Sequence, residues 1–311
     1  MGPAPAGGSS LSRRVPGVEE ILQRRPFAGL LEIASLEPLG IEHGFSGTAF
    51  RLTDRDGRNF KLRVCSWSGR ARNLERYLNG LPGVFPSLVA REGRLLLLEY
   101  LDGYRTLMRL ELLRRAKALG RIGALAHQAG SRPEVGGGRA RRRLVSFRWK
   151  RQFQRDLALL ARSAVLPPAS RRGAEQKFHG YLERFGLPVE LELDDLHKAN
   201  FVYRETDRDL RYVDEEGVGL RPKGLGMASF LKTVKKRVAW DRYREGYAQV
   251  ADASFLTAEY TEYLLLQDAV RRVARKVRLG NRLHKVPEEL SHIRAMADRD
   301  DVDLAWRFAR D

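Results

Sequence analysis

Between Leu191 and Tyr203 the chain reads LELDDLHKANFVY, which sets Asp194, Asp195, His197 and Asn200 within seven residues. Carboxylate and amide oxygens are hard donors of the type that Mg²⁺ prefers. A carboxylate beside them can also take the proton of a reacting hydroxyl. After Asn200 the chain continues FVYRETDRDLRYVDEEG, two short strand-like runs around a polar centre. That pattern predicts an antiparallel hairpin centred near Asp207. In this register residue 200 falls opposite residue 214, so Asn200 and Asp214 share one end of a two-stranded ribbon. Asp195 lies five residues before Asn200, on the loop entering that ribbon. The expectation is two carboxylates and an amide oxygen converging on one point, to hold metal and a reacting hydroxyl.

The elements that must position these groups change character along the chain. A helix-like pattern runs from Val18 to Glu32, followed by strand and turn character through Cys65. Within it GFSGTAF (Gly44–Phe50) is a glycine-rich loop between strands, and DRDG (Asp54–Gly57) is a turn leading into the strand NFKLRV. SGRARNLERYLNGLPG reads as a helix stopped by Gly80 and Pro82, and FPSLVAREGRLLLLEYLDG as a hairpin turning at Glu92 and Gly93. After Gly103 long helical periodicity takes over, as in LMRLELLRRAKALGRIGALAHQ. SRPEVGGGRARRR (Ser131–Arg143) is read as a basic, glycine-rich loop breaking that region, and VLPPASRRG (Val165–Gly173) as a second break. From Phe230 to about Val277 the chain is strongly helical, opening with FLKTVKKRVAWDRYREGY. Its Lys232, Lys235, Lys236 and Arg237 are expected to form a basic stripe on one face. The expected organisation is a flexible leader over 1–15, a β-rich part over 16–102 and a mainly helical part over 103–311.

Composition bounds the alternatives. The 311 residues carry a net charge of +18 at a pI of about 10.4, from 46 Arg and 11 Lys. Such a charge invites a nucleic-acid or anionic-surface partner; an arginine excess of this kind is also what a GC-rich genome produces. No zinc-ligand spacing and no aromatic-plus-glycine RNA signature is present, so nucleic acid is not the expected partner. Apolar residues at 43% suit a globular protein. No apolar run approaches the roughly 18 residues a membrane span needs, and MGPAPAGGSSLSRR has no apolar core of a secretory signal. Cys65 is the single cysteine, which excludes an internal disulfide framework and a cysteine-based zinc site. The expected compartment is a reducing cytoplasm.

The order of motifs resembles the protein-kinase-like fold, in its aminoglycoside phosphotransferase and choline kinase branch. DLHKAN followed by YVDEE is similar to that branch's catalytic loop and its later metal-binding acid. Glu216 stands two places beyond Asp214, as in the branch's later motif. GFSGTAF resembles its phosphate-covering loop, NFKLRV its third strand, and Glu75 in RNLERYL the helix acid that pairs with a basic residue of that strand. LLLLEYLDG resembles the hinge and ALGRIGALAHQ the helix leading into the catalytic lobe, so the likeness spans about residues 40 to 220. RPKGLGMASFLKTVKKRVAWDRYREGY is somewhat similar to lipopolysaccharide sugar kinases, a more diffuse likeness.

The resemblance implies an α+β, bilobal protein-kinase-like fold. Its N-terminal lobe is small, antiparallel and β-rich with one key helix, and its C-terminal lobe is larger and mainly α-helical. It implies ATP and Mg²⁺ as cofactors and a phosphotransferase acting on a small-molecule hydroxyl. Asp195 would accept or orient the acceptor's proton, with His197 beside it as a second catalytic candidate. Asn200 and Asp214 would hold the metal. Gly44, Phe45, Ser46, Gly47 and Thr48 would cover the phosphates through their backbone. Arg63 takes the position usually given to a phosphate-contacting lysine, Lys61 shares its face, and Glu75 is the helix partner. Glu99 to Leu101 would meet the adenine edge through backbone groups. The family usually reads His-Gly-Asp at the catalytic loop, where this chain has Leu193, Asp194 and Asp195. Its later Asp-x-Ala stretch appears as Gly226–Ala228, without an acid. His127 is expected to be a packed helix histidine, Cys65 a core residue, and the Arg139–Arg143 run a solvated loop, with a specific anion-binding role as its alternative. The basic charge favours an anionic or sugar-like acceptor, a lipid-linked glycan among them, over a polycation, and admits peripheral contact with an anionic surface. The competing expectation is a non-catalytic kinase-like scaffold that binds nucleic acid or another anionic partner through its arginines.

Overall fold

Alternating apolar positions between residues 33 and 99 build one antiparallel sheet. Its strands are β1 (Ile33–Pro38), β2 (Ala49–Asp54), β3 (Asn59–Val64), β4 (Leu88–Glu92) and β5 (Leu95–Glu99), in the order β1-β2-β3-β5-β4. This computed structural model describes residues 20–21, 26–39, 49–234, 236–280 and 287–297. The expected leader and the Gly44–Thr48 loop lie outside them. The chain divides into two compact units, Met1–Asp102 and Gly103–Asp311.

In the first unit, one face of the sheet gathers Phe50, Leu52, Leu62, Val64, Leu95 and Leu97 with Ile21, Phe27, Leu31 and Leu36 into an apolar cluster. The two-residue period of a strand then sends Lys61 and Arg63 to the other face, across from Leu98 and Leu96. Helix α1 (Ser68–Gly80) packs on β4 and β5 and buries Ala71, Leu74 and Leu78. The predicted helix over 18–32 is too long. Residues 26–30 form a turn, fixed by Phe27 N–H donating to the Glu92 carboxylate at 2.6 Å, and β1 starts at Ile33. At the Asp54–Gly57 turn the buried Asp54 carboxylate accepts from Arg58 N at 2.8 Å and Nε at 2.7 Å.

The second unit contains α2 (Arg109–Arg114), α3 (Ala116–Ser131), the short α4 (Pro133–Gly136), α5 (Arg139–Arg162), α6 (Pro168–Phe185), α7 (Leu225–Val234), α8 (Arg237–Ala248), α9 (Ala258–Arg278) and α10 (Pro287–Ala297). Two small sheets complete it: β6 (Arg105–Thr106), β8 (Phe201–Arg204) and β9 (Asp209–Tyr212) form one, and β7 (Val189–Leu193) with β10 (Val218–Pro222) the other. Helices α3 and α8 meet backbone to backbone. A Cβ on Gly120 would come 2.8 Å from Tyr247 N, and one on Gly246 would come 2.7 Å from the Lys117 carbonyl carbon. Only glycine permits that approach. His127 of α3 is a packed histidine, as expected. Its Nδ1 lies 2.6 Å from the Tyr247 hydroxyl, and its Nε2 bonds the buried Glu192 of β7. Glu192 also accepts from the N–H groups of Gly224 and Gly226 at the start of α7. One buried carboxylate thereby ties α3, β7 and α7, and its bonds offset the cost of burying it.

Two stretches differ from their sequence reading. Arg139–Arg143 is the first turn of the 24-residue helix α5, not a loop. Gly137 turns the chain at φ 77°, and Arg142 donates to Glu190 at 2.7 Å and to the Gly130 carbonyl, so that guanidinium is part-buried. The lysine stripe after Phe230 is broken, because α7 ends at Val234 and Lys236 is extended at φ −126°, ψ 131° before α8 begins. Lys235 lies outside the described residues. Lys232 is part-buried beside Asp268. Among the described residues no helix is long and apolar enough to cross a membrane.

Candidate active site

Two hairpins nested one inside the other create the site. The outer pair joins β7 to β10, with Leu193 opposite Val218; the inner pair joins β8 to β9, with Phe201 opposite Tyr212. Residues 194–200 and 213–217 lie between the two ladders and must run alongside each other. Asp194 N–H donates to the Gly217 carbonyl at 2.7 Å, and Val213 N–H donates to the Asn200 carbonyl at 2.9 Å, which fastens both ends. Asp195, Asn200 and Asp214 are brought together on this loop pair. The predicted register is one residue out, since Asn200 stands opposite Val213 rather than Asp214. The turn decides it: Glu205–Arg208 close the hairpin with Arg208 at φ 56° and Asp207 held by Arg204 at 2.6 Å. Asp214 therefore lies one residue past the ribbon and leads into a 3-10 turn over Glu215–Gly217. Within that turn Glu215 is fully buried, while Glu216 is exposed.

The backbone carbonyl of Asp195 organises the loop. It accepts from His197 N at 2.8 Å, from Asn200 Nδ2 at 2.9 Å and weakly from the Tyr212 hydroxyl at 3.4 Å. Because the buried Asn200 commits its NH₂ there, its Oδ1 is the atom left for a cation. Asp195 is exposed, and its Oδ1 accepts from Ser229 Oγ of α7 at 3.2 Å. Gly217 makes room for Asp214: a Cβ there would come 2.8 Å from Asp214 Oδ2 and press on the Tyr212 hydroxyl. Burial, and then the negative charges of Asp214, Asp195 and Asp194, hold the Tyr212 phenol well above its ordinary pKa. All three carboxylates are thus within electrostatic reach of one buried ring. Among the described residues no group of three or more His, Cys, Asp or Glu side chains gathers as a metal centre. An amide oxygen and one carboxylate suit Mg²⁺, which takes few protein ligands and completes its shell with phosphate and water.

His197 has the structural role that its loop position allows. Its Nδ1 accepts from Ala199 N–H at 3.3 Å and caps the short turn Lys198–Asn200, leaving Nε2 for any ligand. Leu193 is buried at the end of the β7 ladder. Asp194 is an anchor: Arg221 Nε reaches it at 3.4 Å, and Arg271 of α9 at 3.3 and 3.4 Å. Sequence reasoning missed these two arginines, together with Ser229, Tyr212 and the environment of Lys232. The signal for Ser229 was its place immediately after Gly226–Ala228, where an acid was sought and a hydroxyl follows.

Burial pushes the Lys232 ammonium down to about 8 despite the Asp268 carboxylate 3.8 Å away, and Asp195 acts on it from farther off. Below about pH 8 the lysine is charged in both folded and unfolded chains, and the penalty for burying it is fully present. Between about 8 and its ordinary 10.5 the folded chain binds fewer protons, so that penalty is relieved. Lys232→Met is therefore expected to raise Tm at pH 7 relative to the parent, with the difference shrinking from pH 8 to 10. A pH series of thermal unfolding checks it, and a constant difference would rule the effect out.

In the first unit, Lys61 and Arg63 lie on one face of β3, Arg63 at 7% exposure. Glu75 does not take the β3 partner that the resemblance implies. Its carboxylate accepts from Arg91 Nε of β4 at 2.6 Å. Glu99 N–H is taken by the Ser87 carbonyl at 2.8 Å, and Leu101 follows the end of β5.

No family model and no curated protein matches the chain. Solved structures do. A choline kinase from Streptococcus pneumoniae is similar at a TM-score of 0.60 and 14% identity, covering 90% of this chain and 98% of its own. A choline/ethanolamine kinase family protein from Mesorhizobium loti gives 0.61 and 16% over 88% and 90%. A macrolide 2'-phosphotransferase from Brachybacterium faecium gives 0.58 and 16% over 90% and 96%. The streptococcal enzyme is also known in complex with AMP. Likeness at these identities shows the fold, which is the protein-kinase-like α+β fold implied by the motif order.

Proposed function

We propose that the chain is an ATP- and Mg²⁺-dependent phosphotransferase that moves the γ-phosphoryl group to a hydroxyl of a small molecule. The observation that carries it is the nested hairpin, which gathers Asp195, Asn200 and Asp214 on one loop pair. Asp195, exposed and held by Ser229, accepts the proton of the acceptor hydroxyl as its oxygen attacks phosphorus and ADP leaves. Asn200 Oδ1 and Asp214 would hold Mg²⁺, which would neutralise phosphate charge. Tyr212, Gly217 and the Arg221–Asp194–Arg271 cluster keep these groups in place. Within the N-terminal unit, Lys61 and Arg63 would contact phosphate, with Gly44–Thr48 covering it. With its N–H occupied, Glu99 would offer adenine its carbonyl, and Leu101 its N–H. His197 would reach phosphate only through Nε2.

Solved neighbours named as choline, aminopropanol and macrolide kinases or phosphotransferases support the reaction class. The net charge of +18 favours an anionic or sugar-like acceptor, a lipid-linked glycan within that class, and the single cysteine a cytoplasmic reaction. The test is γ-labelled ATP with a fractionated metabolite pool. Mg²⁺-dependent transfer of label to one fraction is the expected result. No transfer, with nucleic-acid binding that falls steeply with salt, would establish the scaffold instead.

A further inference from the structure

Helix α5 presents a face that its own unit does not explain. At 100° per residue, Arg143, Leu144, Phe147, Arg148, Arg151 and Arg155 fall within one sector of about 140°. All six are exposed, Leu144 at 47% and Phe147 at 60%. Phe153, Leu157 and Leu160 bury the opposite side. The four arginines of the stripe, and Arg139 at its start, have no acidic partner among the described residues. The single acid of α5, Asp156, is buried and bonded by Arg278 and Gln152.

This arrangement costs stability. The first turn of α5 holds no acid, so arginines crowd the positive end of the helix dipole. Arg142 is accounted for by Glu190 and Gly130, but Arg139 and Arg143 are not. Genomic bias accounts for the number of arginines but not for the large apolar pair exposed among them. Local rules are broken in this way where a surface is functional or strained. Beside the stripe, Arg143, Phe147 and Lys150 line a shallow groove of about 480 Å³ with Leu187 and Pro188.

We infer that this face docks on a bilayer surface rich in anionic lipid headgroups. Headgroup phosphates supply the counter-charge that the arginines lack, and the interfacial region takes the Leu144 and Phe147 side chains out of water. A nucleic-acid backbone would satisfy the arginines alone and leave Leu144 in water, so the paired apolar residues favour the bilayer. With 24 residues, α5 is about 36 Å long and lies along the surface without crossing it. The inference stands independently of the phosphotransferase assignment.

Co-sedimentation of the full chain tests it, with vesicles of phosphatidylcholine alone and of phosphatidylcholine and phosphatidylglycerol in equal amounts. The chain is expected to bind the anionic vesicles, to release with rising salt, and to ignore the neutral ones. The double variants Arg148→Glu/Arg151→Glu and Leu144→Ser/Phe147→Ser should each weaken binding by about tenfold or more. All four side chains are exposed, so unfolding temperatures should match the parent. Absence of binding, equal binding to neutral vesicles, or variants that bind like the parent would overturn the proposal. So would a preference for single-stranded RNA that survives Leu144→Ser/Phe147→Ser.

Discussion

Asp195→Ala is expected to lower turnover of the acceptor by about 10²- to 10⁴-fold, the usual contribution of general acid–base catalysis, and to bind ATP–Mg²⁺ nearly as well as the parent. The separation follows from phosphoryl transfer itself, in which the base does little in the ground state and matters as the hydroxyl attacks. The backbone carbonyl that organises the loop is untouched by this substitution, and Ser229 loses one acceptor at 3.2 Å. Single-turnover rates and ATP titrations measure the two quantities. Asp194→Ala distinguishes the neighbouring acids. It removes the carboxylate that Arg221 and Arg271 share, so its loss should appear as about 1–2 kcal/mol of stability with turnover largely kept below the transition. Equal catalytic losses at both positions would shift the catalytic assignment by one residue. An unchanged rate in Asp195→Ala would remove this loop from the chemistry.

Asp214→Asn is expected to abolish the Mg²⁺-dependent part of nucleotide stabilisation while leaving the apo unfolding temperature unchanged. A ligand at 100 times its Kd stabilises the folded state by about 2.7 kcal/mol, several degrees of Tm in a protein of this size. Without the Asp214 carboxylate, Asn200 Oδ1 is the one assigned metal ligand that remains on this loop pair. Thermal unfolding with ATP, with and without Mg²⁺, reads the effect. A full Mg²⁺-dependent shift in the variant would show that Asp214 is not a metal ligand. Asparagine conserves the shape beside Gly217, so an altered apo Tm would instead indicate that the charge is structural.

What the sequence determined by itself was local. Spacing and turn chemistry identified the strands around DRDG, the helix over Ser68–Gly80, the hairpin after Asn200 and the residues able to do chemistry, because these depend on periodicities of two and 3.6 and on nearby breakers. The tertiary structure decided what nearby residues cannot. Hairpin register depended on the turn geometry of Glu205–Arg208, where an αL arginine closes the loop one residue earlier than symmetry about Asp207 requires. The Glu75 partner depended on which strand lies beneath α1, and that strand supplies Arg91. Lys232, read as one of four basic residues striping one face, is a part-buried amine because α9 brings Asp268 against α7. Asp194 and Asp195 are chemically identical neighbours in the sequence. One is bound by arginines from β10 and α9 and the other is exposed beside a serine of α7, and only the packing of segments 27 to 77 residues away could assign them different environments.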